Sequence, residues 1–160
     1  GLCGGSLRQW VAWSVGARWP LVRVAGDGCL LEVSCAQIAA AMGRAGGGVG
    51  ACGACAVLVD GRSVSSCLAR ALRFEGCTIE TAEGLPEDDP IVSAFVESGA
   101  MQCGYCIPGF VLMTHELLGE NPSPDQEQVK AHFEGNLCRC GSYPQIFEAV
   151  AKAAGERCTT

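Results

Sequence analysis

The spacing of hydrophobic residues divides the chain into two parts with different periods. Between residues 21 and 81, short apolar and β-branched runs alternate with turns rich in glycine and aspartate. Such runs predict β-strands. From Pro90 onwards the apolar residues recur three or four positions apart, as on one face of an α-helix. The pattern therefore predicts a strand-rich part followed by a helical part.

In the first part, residues 21–25 and 29–33 are predicted to form a hairpin around the Gly-Asp-Gly turn between them. The Ser-x-x-Gln spacing that begins at Ser34 is that of a capping box. It predicts a short helix over residues 35–44.

A glycine-rich loop over residues 45–50 comes next in the sequence. Residues 56–59 and 62–66 are predicted strands joined by an Asp60-Gly61 turn, and another strand is predicted over residues 77–81. This order of hairpin, helix, loop and strands is a small α+β layout, which is compatible with a β-grasp domain.

The second part predicts four short helices, each with a recognisable start. Asp89 is a cap for a helix whose first residue is Pro90. Ser123 begins a second capping box, with proline at the first helical position. Four helices of this length indicate an α-helical bundle. They are predicted from Pro90 to the residue before Gly99, over residues 108–118, over residues 124–134 and from Pro144 onwards.

These patterns predict an α+β protein with two domains, whose boundary lies near residues 82–90. Residues 1–19 show neither a period nor turn chemistry, and we interpret them as a disordered or poorly determined leader without regular structure or an assigned function. The β-grasp domain is predicted over residues 20–84 and the four-helix bundle over residues 85–155. Residues 156–160 would form a tail.

Composition and charge exclude some classes of function. The chain is 49% hydrophobic and 18% charged, which is typical of globular proteins. Its net charge of −6, with no basic cluster, argues against a nucleic-acid-binding surface. No apolar run approaches the roughly 20 residues of a membrane-spanning helix. No signal peptide is recognisable, so we expect a cytoplasmic location, or a periplasmic one if an export signal preceded Gly1.

The chain contains twelve cysteines, which is a high number for 160 residues. Disulfide scaffolds are usually smaller and seldom arrange cysteines as close pairs flanked by glycine, so we favour metal or cluster ligation. Cys103 and Cys106 form a C-x2-C pair, and Cys138 and Cys140 form a C-x-C pair after 31 intervening residues. Four thiolates suit either a zinc ion or an iron–sulfur cluster, and the spacing leaves both open.

The predicted helices place these four cysteines near helix N-termini. Helix N-termini carry partial positive charge and free N–H groups, which stabilise thiolates and can donate to cluster sulfides. The local structure thus favours ligation at both pairs.

Three further cysteines lie upstream, at Cys52, Cys55 and Cys67. The plant-type [2Fe–2S] spacing is C-x4-C-x2-C followed by a distant cysteine. Cys52, Cys55 and Cys67 match its second, third and fourth ligands. The first ligand is expected at position 47, where this chain has Gly47.

Together these motifs resemble the small iron–sulfur subunit of the xanthine oxidase family of molybdenum hydroxylases. The resemblance runs from about residue 48 to residue 155, with several independent motifs in the right order. The stretches that carry it are GVGACGACAVLVDG at residues 48–61, SSCL at 65–68, QCGYCIPG at 102–109 and GNLCRCGSYP at 135–144.

The resemblance implies two [2Fe–2S] clusters, one in an N-terminal ferredoxin-like β-grasp domain and one in a C-terminal four-helix bundle. It implies that Gln102 and the Cys140 segment face the molybdopterin of a separate large subunit. A medium FAD-binding subunit or a haem cytochrome would accept the electrons. By the same resemblance, the bundle cluster is ligated by Cys103, Cys106, Cys138 and Cys140, and the ferredoxin-like cluster by Cys52, Cys55 and Cys67.

Gly47 departs from the family pattern, which has cysteine there. Three accounts remain open. The first cluster is absent or incomplete, or a displaced thiol such as Cys35 replaces the missing ligand, or the residues before about position 47 are not the natural sequence because of a reading-frame error. Their composition favours the last account, whereas the predicted hairpin and capping box weaken it.

The remaining candidate residues have simpler interpretations. Tyr105 and Tyr143 are expected to pack around the bundle cluster, and Arg139 to balance cluster charge or to form a salt bridge. We interpret His115 and His132 as structural, because neither has a metal-ligand companion in sequence. The cysteines interpreted as ordinary thiols are Cys3, Cys29, Cys77 and Cys158, and Cys35 is interpreted as a helix residue.

The sequence therefore predicts an electron-transfer subunit of a molybdenum-dependent hydroxylase or dehydrogenase, without a catalytic site of its own. The alternative is a zinc-stabilised interaction module with no redox role. Colour separates the two, because an oxidised [2Fe–2S] protein is red-brown and a zinc protein is colourless.

Overall fold

The fold comes from a computed structural model, which describes residues 9–12, 14–15, 21–24, 28–34 and 44–157. The fold is α+β. Six strands are present in the described residues: β1 (Gln9–Ala12), β2 (Ser14–Val15), β3 (Leu21–Val24), β4 (Ala56–Val59), β5 (Arg62–Ser65) and β6 (Thr78–Glu80). Five α-helices are present there: α1 (Leu30–Val33), α2 (Pro90–Glu97), α3 (Ile107–Glu120), α4 (Gln126–His132) and α5 (Tyr143–Arg157).

The strands form two sheets. β1 and β3 pair antiparallel as a two-stranded sheet. The second sheet has four strands in the order β2-β6-β4-β5, in which β2 runs parallel to β6 and the other pairs are antiparallel.

The hairpin formed by β4 and β5 lies at the residues predicted for it, within one residue at the end of β5. Its turn residues Asp60 and Gly61 both have positive φ, at 49° and 79°. Positive φ at both positions is the signature of the type I′ turn, whose twist matches that of the strands. The strand prediction over residues 77–81 is also confirmed by β6. Val57, Val59 and Ile79 from this sheet pack with Leu30 and Val33 of α1 in one core.

The predicted strand over residues 29–33 is wrong. These residues form the short helix α1, and Cys29 caps it. The Glu32 N–H donates to Cys29 Sγ over 3.4 Å, and the Glu32 carboxylate accepts from the Cys29 N–H over 3.4 Å, which completes a capping box. A short apolar run fits a buried strand or a buried helix equally well, so its period could not decide between them.

The prediction of no regular structure before residue 20 is also wrong, since β1 and β2 lie there. β3 is confirmed as a strand, but its partner is β1. The choice of a strand's partner depends on packing against neighbouring strands, so it leaves little local signal in sequence. Ser34 ends α1, with its hydroxyl donating to the Leu30 carbonyl. Most of the helix predicted over residues 35–44, including Cys35, lies outside the described residues.

The four predicted helices of the second part are confirmed as α2 to α5, and they enclose one hydrophobic core. As predicted, Asp89 caps α2 and accepts from the N–H groups of Ile91 and Val92, at 2.9 and 3.0 Å. Within the described residues, no helix is long and apolar enough to cross a membrane. The largest fully buried core side chains in this part include Ile91, Phe110, Leu118, Ile146 and Val150.

The predicted start of α4 needs a correction. The cap is Asp125 and not Ser123, and its capping box is with Gln128, so the helix begins two residues later than predicted. Both residues have capping chemistry, and the carboxylate of Asp125 is the one that reaches the N–H at the third helical position. The proline at position 124 therefore lies outside the helix.

Helix α3 joins the two parts of the molecule, because it packs on β4 and β5 as well as on the other helices. The carboxylate of Glu116 in α3 accepts a hydrogen bond of 2.9 Å from the Ser63 N–H in β5. At the start of α3, Gly109 lies against the carbonyl oxygen of Gly53. These contacts place the loop that carries Cys52 and Cys55 next to the start of α3.

Candidate metal centre

The four cysteines of the second part come together from two loops. Cys106 occupies the N-cap position of α3, and Cys103 lies three residues before it. Cys138 and Cys140 lie in the loop that precedes α5. Cys106 and Cys138 are buried, Cys140 is half-buried and Cys103 is exposed. The predicted position of these thiols near helix N-termini is confirmed.

The four thiols approach one another across the two loops, Cys103 beside Cys140 and Cys106 beside Cys138. The Tyr105 backbone N–H, followed by the Cys140 thiol, lowers the pKa of Cys103. Burial raises the pKa of Cys106 to about 12, and the neighbouring Cys138 adds to the rise. A metal would bind these sulfurs as thiolates, so its binding would release their protons.

Cys138 lies in a network of backbone and side-chain hydrogen bonds. Burial alone would raise its pKa, but the backbone N–H of Ser142 and the Cys106 thiol outweigh burial and lower the pKa of Cys138. The Ser142 N–H lies 3.3 Å from Cys138 Sγ. The Cys138 N–H donates to the Tyr143 hydroxyl over 2.9 Å, and that hydroxyl donates to the Asn136 carbonyl over 3.4 Å. This network fixes the loop and favours the thiolate.

The residues present fit a [2Fe–2S] cluster. A cavity of about 380 Å³ is lined by Cys103, Cys106 and Cys138 together with Tyr105 and Tyr143. In the described part of the chain, no three His, Cys, Asp or Glu side chains converge closely enough to hold a single metal ion. The four thiols instead form two pairs, and a cluster with two irons and four cysteine ligands suits such an arrangement.

Gln102 and Cys140 lie together at the exposed side of this site. The Gln102 side-chain amide donates to the Cys140 carbonyl over 3.2 Å. Met101, Tyr105 and Leu137 are exposed nearby in sequence, although all three are large and apolar. The site therefore opens towards a surface with unusual apolar exposure.

The upstream cysteines form a second, less complete group. Cys55 lies beside Cys67, and burial, followed by this neighbouring thiol, raises the pKa of Cys67. The Ser66 hydroxyl holds the loop by donating to the Cys55 carbonyl over 2.6 Å. Cys52 lies close to Gly47, because a Cβ atom built on Gly47 would be 3.8 Å from Cys52 Sγ. Three thiols are present, and the described residues supply no fourth.

A backbone hydrogen bond connects the two cysteine groups. The Leu137 N–H donates to the Cys52 carbonyl over 3.0 Å. Beside it, the side chain of buried Asn136 occupies the space where a Cβ on Gly53 would be, 1.9 Å from Asn136 Oδ1. Gly53 also has a φ of 68°, so both its backbone conformation and its packing require glycine.

Some sequence candidates lie outside both groups. The burial of Cys77, followed by its hydrogen bond with Asp60, raises its thiol pKa. Cys29 caps α1. Both agree with their interpretation as ordinary thiols. Cys3, Cys35 and Cys158 lie outside the described residues.

The two histidines are close to carboxylates. His115 Nε2 lies 3.2 Å from Asp89 Oδ2, and His132 Nε2 lies 3.4 Å from Glu116 Oε2 and 3.1 Å from the Met113 carbonyl. These contacts fit the structural role expected for both residues.

The sequence did not identify three residues that organise the sites: Asn136, Glu116 and the hydroxyl of Tyr143. Asn136 and Tyr143 lie in the stretch at residues 135–144, which was interpreted mainly through its cysteines. Their position beside Cys138 and Cys140 was a sequence signal for a role at the same site. Glu116 lies in the middle of a helix, where a carboxylate is ordinary. Only its burial against β5 distinguishes it.

Comparisons with known proteins agree with this geometry. Residues 81–151 match a family model described as a [2Fe-2S] binding domain. The nicotine 6-hydroxylase small subunit of Paenarthrobacter nicotinovorans is 46% identical over 109 residues, which cover 67% of this chain and 66% of that protein. The nicotinate dehydrogenase small FeS subunit of Eubacterium barkeri is 44% identical over 112 residues, which cover 68% of this chain and 71% of that protein.

A solved structure extends the similarity to the fold. The crystal structure of quinoline 2-oxidoreductase from Pseudomonas putida 86 superposes with a TM-score of 0.89 at 30% identity, covering 96% of this chain and 98% of that chain. The sequence matches to the curated relatives span about two thirds of their length. From the cysteine geometry and these similarities together, the chain belongs to the small [2Fe–2S] iron–sulfur subunits of the xanthine oxidase family of molybdenum hydroxylases.

Proposed function

We propose that this chain is the electron-transfer subunit of a multi-subunit molybdenum-dependent hydroxylase or dehydrogenase. The observation that carries the proposal is the gathering of four thiols, from two distant loops, into two pairs at helix N-termini. A [2Fe–2S] cluster held there supplies uptake and release of one electron at a time. The zinc-stabilised module has no support beyond the number of thiols.

In this proposal Cys103, Cys106, Cys138 and Cys140 are the cluster ligands. The N–H groups of Tyr105 and Ser142 donate to the sulfurs of Cys103 and Cys138. Such bonds stabilise negative charge on a ligand sulfur and are one of the levers on reduction potential. Tyr143 closes the inner side of the cavity, and its ring packs at nearly right angles on Phe110 with centroids 6.2 Å apart. Together these groups limit the access of water from the core side.

The exposed side of the site would face the large molybdopterin-binding subunit. Gln102 and Cys140 are joined by a hydrogen bond at this side, so they would present one polar edge to the pterin. Met101, Tyr105 and Leu137 leave between 40% and 57% of their surface exposed. Large apolar residues with this exposure suit burial in a permanent interface.

The boundary between the two domains would lie where the spacing of apolar residues changes from that of strands to that of helices. Residues 20–84 would form the ferredoxin-like β-grasp domain and residues 85–155 the four-helix-bundle domain. The two separate hydrophobic cores, one of α1 with the sheet and one among α2 to α5, support the boundary near residue 84. The pairing of β2 with β6 would extend the first domain to residues before position 20. A FAD-binding medium subunit or a haem cytochrome would accept the electrons.

The substrate would be selected by the partner subunit. Relatives of this chain carry names that refer to nicotine, nicotinate, xanthine and aldehydes. Since similar small subunits occur with such different substrates, their shared residues are unsuited to substrate recognition. We therefore expect no substrate site in this chain.

Spectroscopy of the full chain tests the proposal. The anaerobically purified protein should be red-brown, contain at least about two irons and two acid-labile sulfides per chain, and bleach with dithionite. Co-purification with a molybdenum-containing large subunit would extend the result to the complex. A stable, colourless chain that contains zinc would contradict the proposal.

A further inference from the structure

Ser142 lies directly before helix α5, in the loop that carries Cys138 and Cys140. Only 2% of its surface is exposed. Its carbonyl accepts the Ile146 N–H over 3.0 Å, as the carbonyl before the first residue of a helix does. Ser142 therefore occupies the N-cap position of α5. Serine is preferred at this position because its hydroxyl usually accepts an N–H of the first turn.

The Ser142 hydroxyl does not fill this ordinary role. Pro144 is the second residue of the helix and has no N–H to donate. Within the described residues, Ser142 Oγ is buried and has no hydrogen-bond partner. A buried hydroxyl without a partner is unfavourable, and few such groups occur in native proteins. The burial of this hydroxyl therefore needs an explanation other than helix capping.

The neighbouring sulfur of Cys138 supplies that explanation. The Ser142 N–H lies 3.3 Å from Cys138 Sγ. Burial alone would raise the pKa of Cys138, but the Ser142 backbone lowers it and the Ser142 side chain lowers it further, so the hydroxyl lies beside the same sulfur. The sulfur of a neutral thiol is a weak acceptor, whereas a thiolate accepts charge-assisted hydrogen bonds. The unused donor thus suits the deprotonated Cys138 that a metal requires.

We propose that Ser142 donates twice to the Cys138 thiolate, through its N–H and through its hydroxyl, and that the hydroxyl raises the reduction potential of a cluster held by this thiolate. The inference deepens the proposed function and rests on it, because it needs a cluster at Cys138. Hydrogen bonds to a ligand sulfur stabilise negative charge, and reduction adds one electron, so the second donor favours the reduced state. Ser142 acts through Cys138 and is therefore a positioning residue.

The test measures the reduction potential of the bundle cluster in the full chain, by a redox titration followed by EPR and visible absorbance. Ser142→Ala removes the hydroxyl and leaves the N–H in place, so we expect a more negative potential at unchanged iron content. Ser142→Thr keeps a hydroxyl and should return the potential towards that of the original chain.

Ser98→Ala is the matched control for the loss of a buried hydroxyl. Ser98 Oγ is also buried and has no hydrogen-bond partner in the described part of the chain, but Ser98 lies at the C-terminal end of α2. This substitution should leave the reduction potential unchanged. Thermal unfolding of all three variants separates an effect on the helix from an effect on the sulfur.

Other results would overturn the proposal. A lower Tm in Ser142→Ala with an unchanged potential would show that the hydroxyl only stabilises the helix. Equal shifts of the potential in Ser142→Ala and Ser142→Thr would show that altered packing, and not the hydroxyl, causes them. A more positive potential in Ser142→Ala would be incompatible with donation to the sulfur. An original chain without any iron would contradict the proposed function, and this inference with it.

Discussion

Gly109, in the first turn of α3, packs directly on the carbonyl oxygen of Gly53, in the loop between Cys52 and Cys55. A Cβ atom at position 109 would lie 2.4 Å from that oxygen. The opposing atom is backbone, so it cannot move away as a flexible side chain would. This contact brings the two cysteine loops together, and it depends on the absence of a side chain.

We predict that Gly109→Ala destabilises the chain by about 1–3 kcal/mol, because the added methyl group forces the Cys52 loop away from α3. Gly119→Ala is the matched control in the same helix, since a Cβ there has no neighbour within 4 Å. Alanine favours a helix interior over glycine, so Gly119→Ala should be neutral or stabilise by up to about 1 kcal/mol. Urea unfolding followed by far-UV circular dichroism measures both. Equal effects of the two substitutions would contradict the packing argument.

Glu116 provides a second contact between the parts by accepting from the Ser63 N–H, and it also lies beside His132 in the helical part. Glu116→Ala should leave the Ser63 N–H without its acceptor and cost about 1–3 kcal/mol. The sharper measurement is hydrogen exchange, in which the Ser63 amide should lose protection. Glu120→Ala is the control, because its ion pair with Arg62 is exposed and 3.9 Å long. Such pairs contribute about 0–1 kcal/mol. Unchanged protection of Ser63 in Glu116→Ala would refute the prediction.

Asp89 combines helix capping with a contact to His115, and only 6% of its surface is exposed. Asp89→Ala should cost about 1–2 kcal/mol from the lost cap alone. Asp89→Asn should recover most of this loss, since asparagine also accepts from the N–H groups of Ile91 and Val92. Asp125→Ala removes the exposed cap of the shorter helix α4 and should cost less. Thermal unfolding ranks the three variants, and a larger loss in Asp125→Ala would be inconsistent with this ranking.

Cysteine substitutions should separate ligands from ordinary thiols. Cys106→Ser should remove about two irons per chain, because the bundle cluster loses a buried ligand. Cys77→Ser should retain the full iron content, since Cys77 contacts Asp60 and lies in neither cysteine group. Iron analysis and visible absorbance provide the measurement. Retention of all iron in Cys106→Ser would exclude this thiol as a ligand.

Local sequence patterns were sufficient to predict the helices of the second part almost completely. Asp89 and Pro90 gave the start of α2, and the apolar spacing gave the four helices, because capping and helical period are local properties. The motifs at Cys103–Cys106 and Cys138–Cys140 also predicted thiols near helix N-termini, since the spacing within each loop is local. The β4–β5 turn was also predicted correctly, because the Asp60-Gly61 pair by itself favours this type of turn.

The remaining features depend on how the elements pack in three dimensions. The apolar run at residues 29–33 became a helix because Cys29 and Glu32 cap it and because β3 pairs with β1, a strand that precedes it by several residues. The pairing of Cys103 with Cys140 and of Cys106 with Cys138 needed the two loops to meet in space. The contact of Gly109 with Gly53 likewise depends on which backbone lies opposite. Local patterns do not encode such distances, because they arise from the packing of segments far apart in the chain.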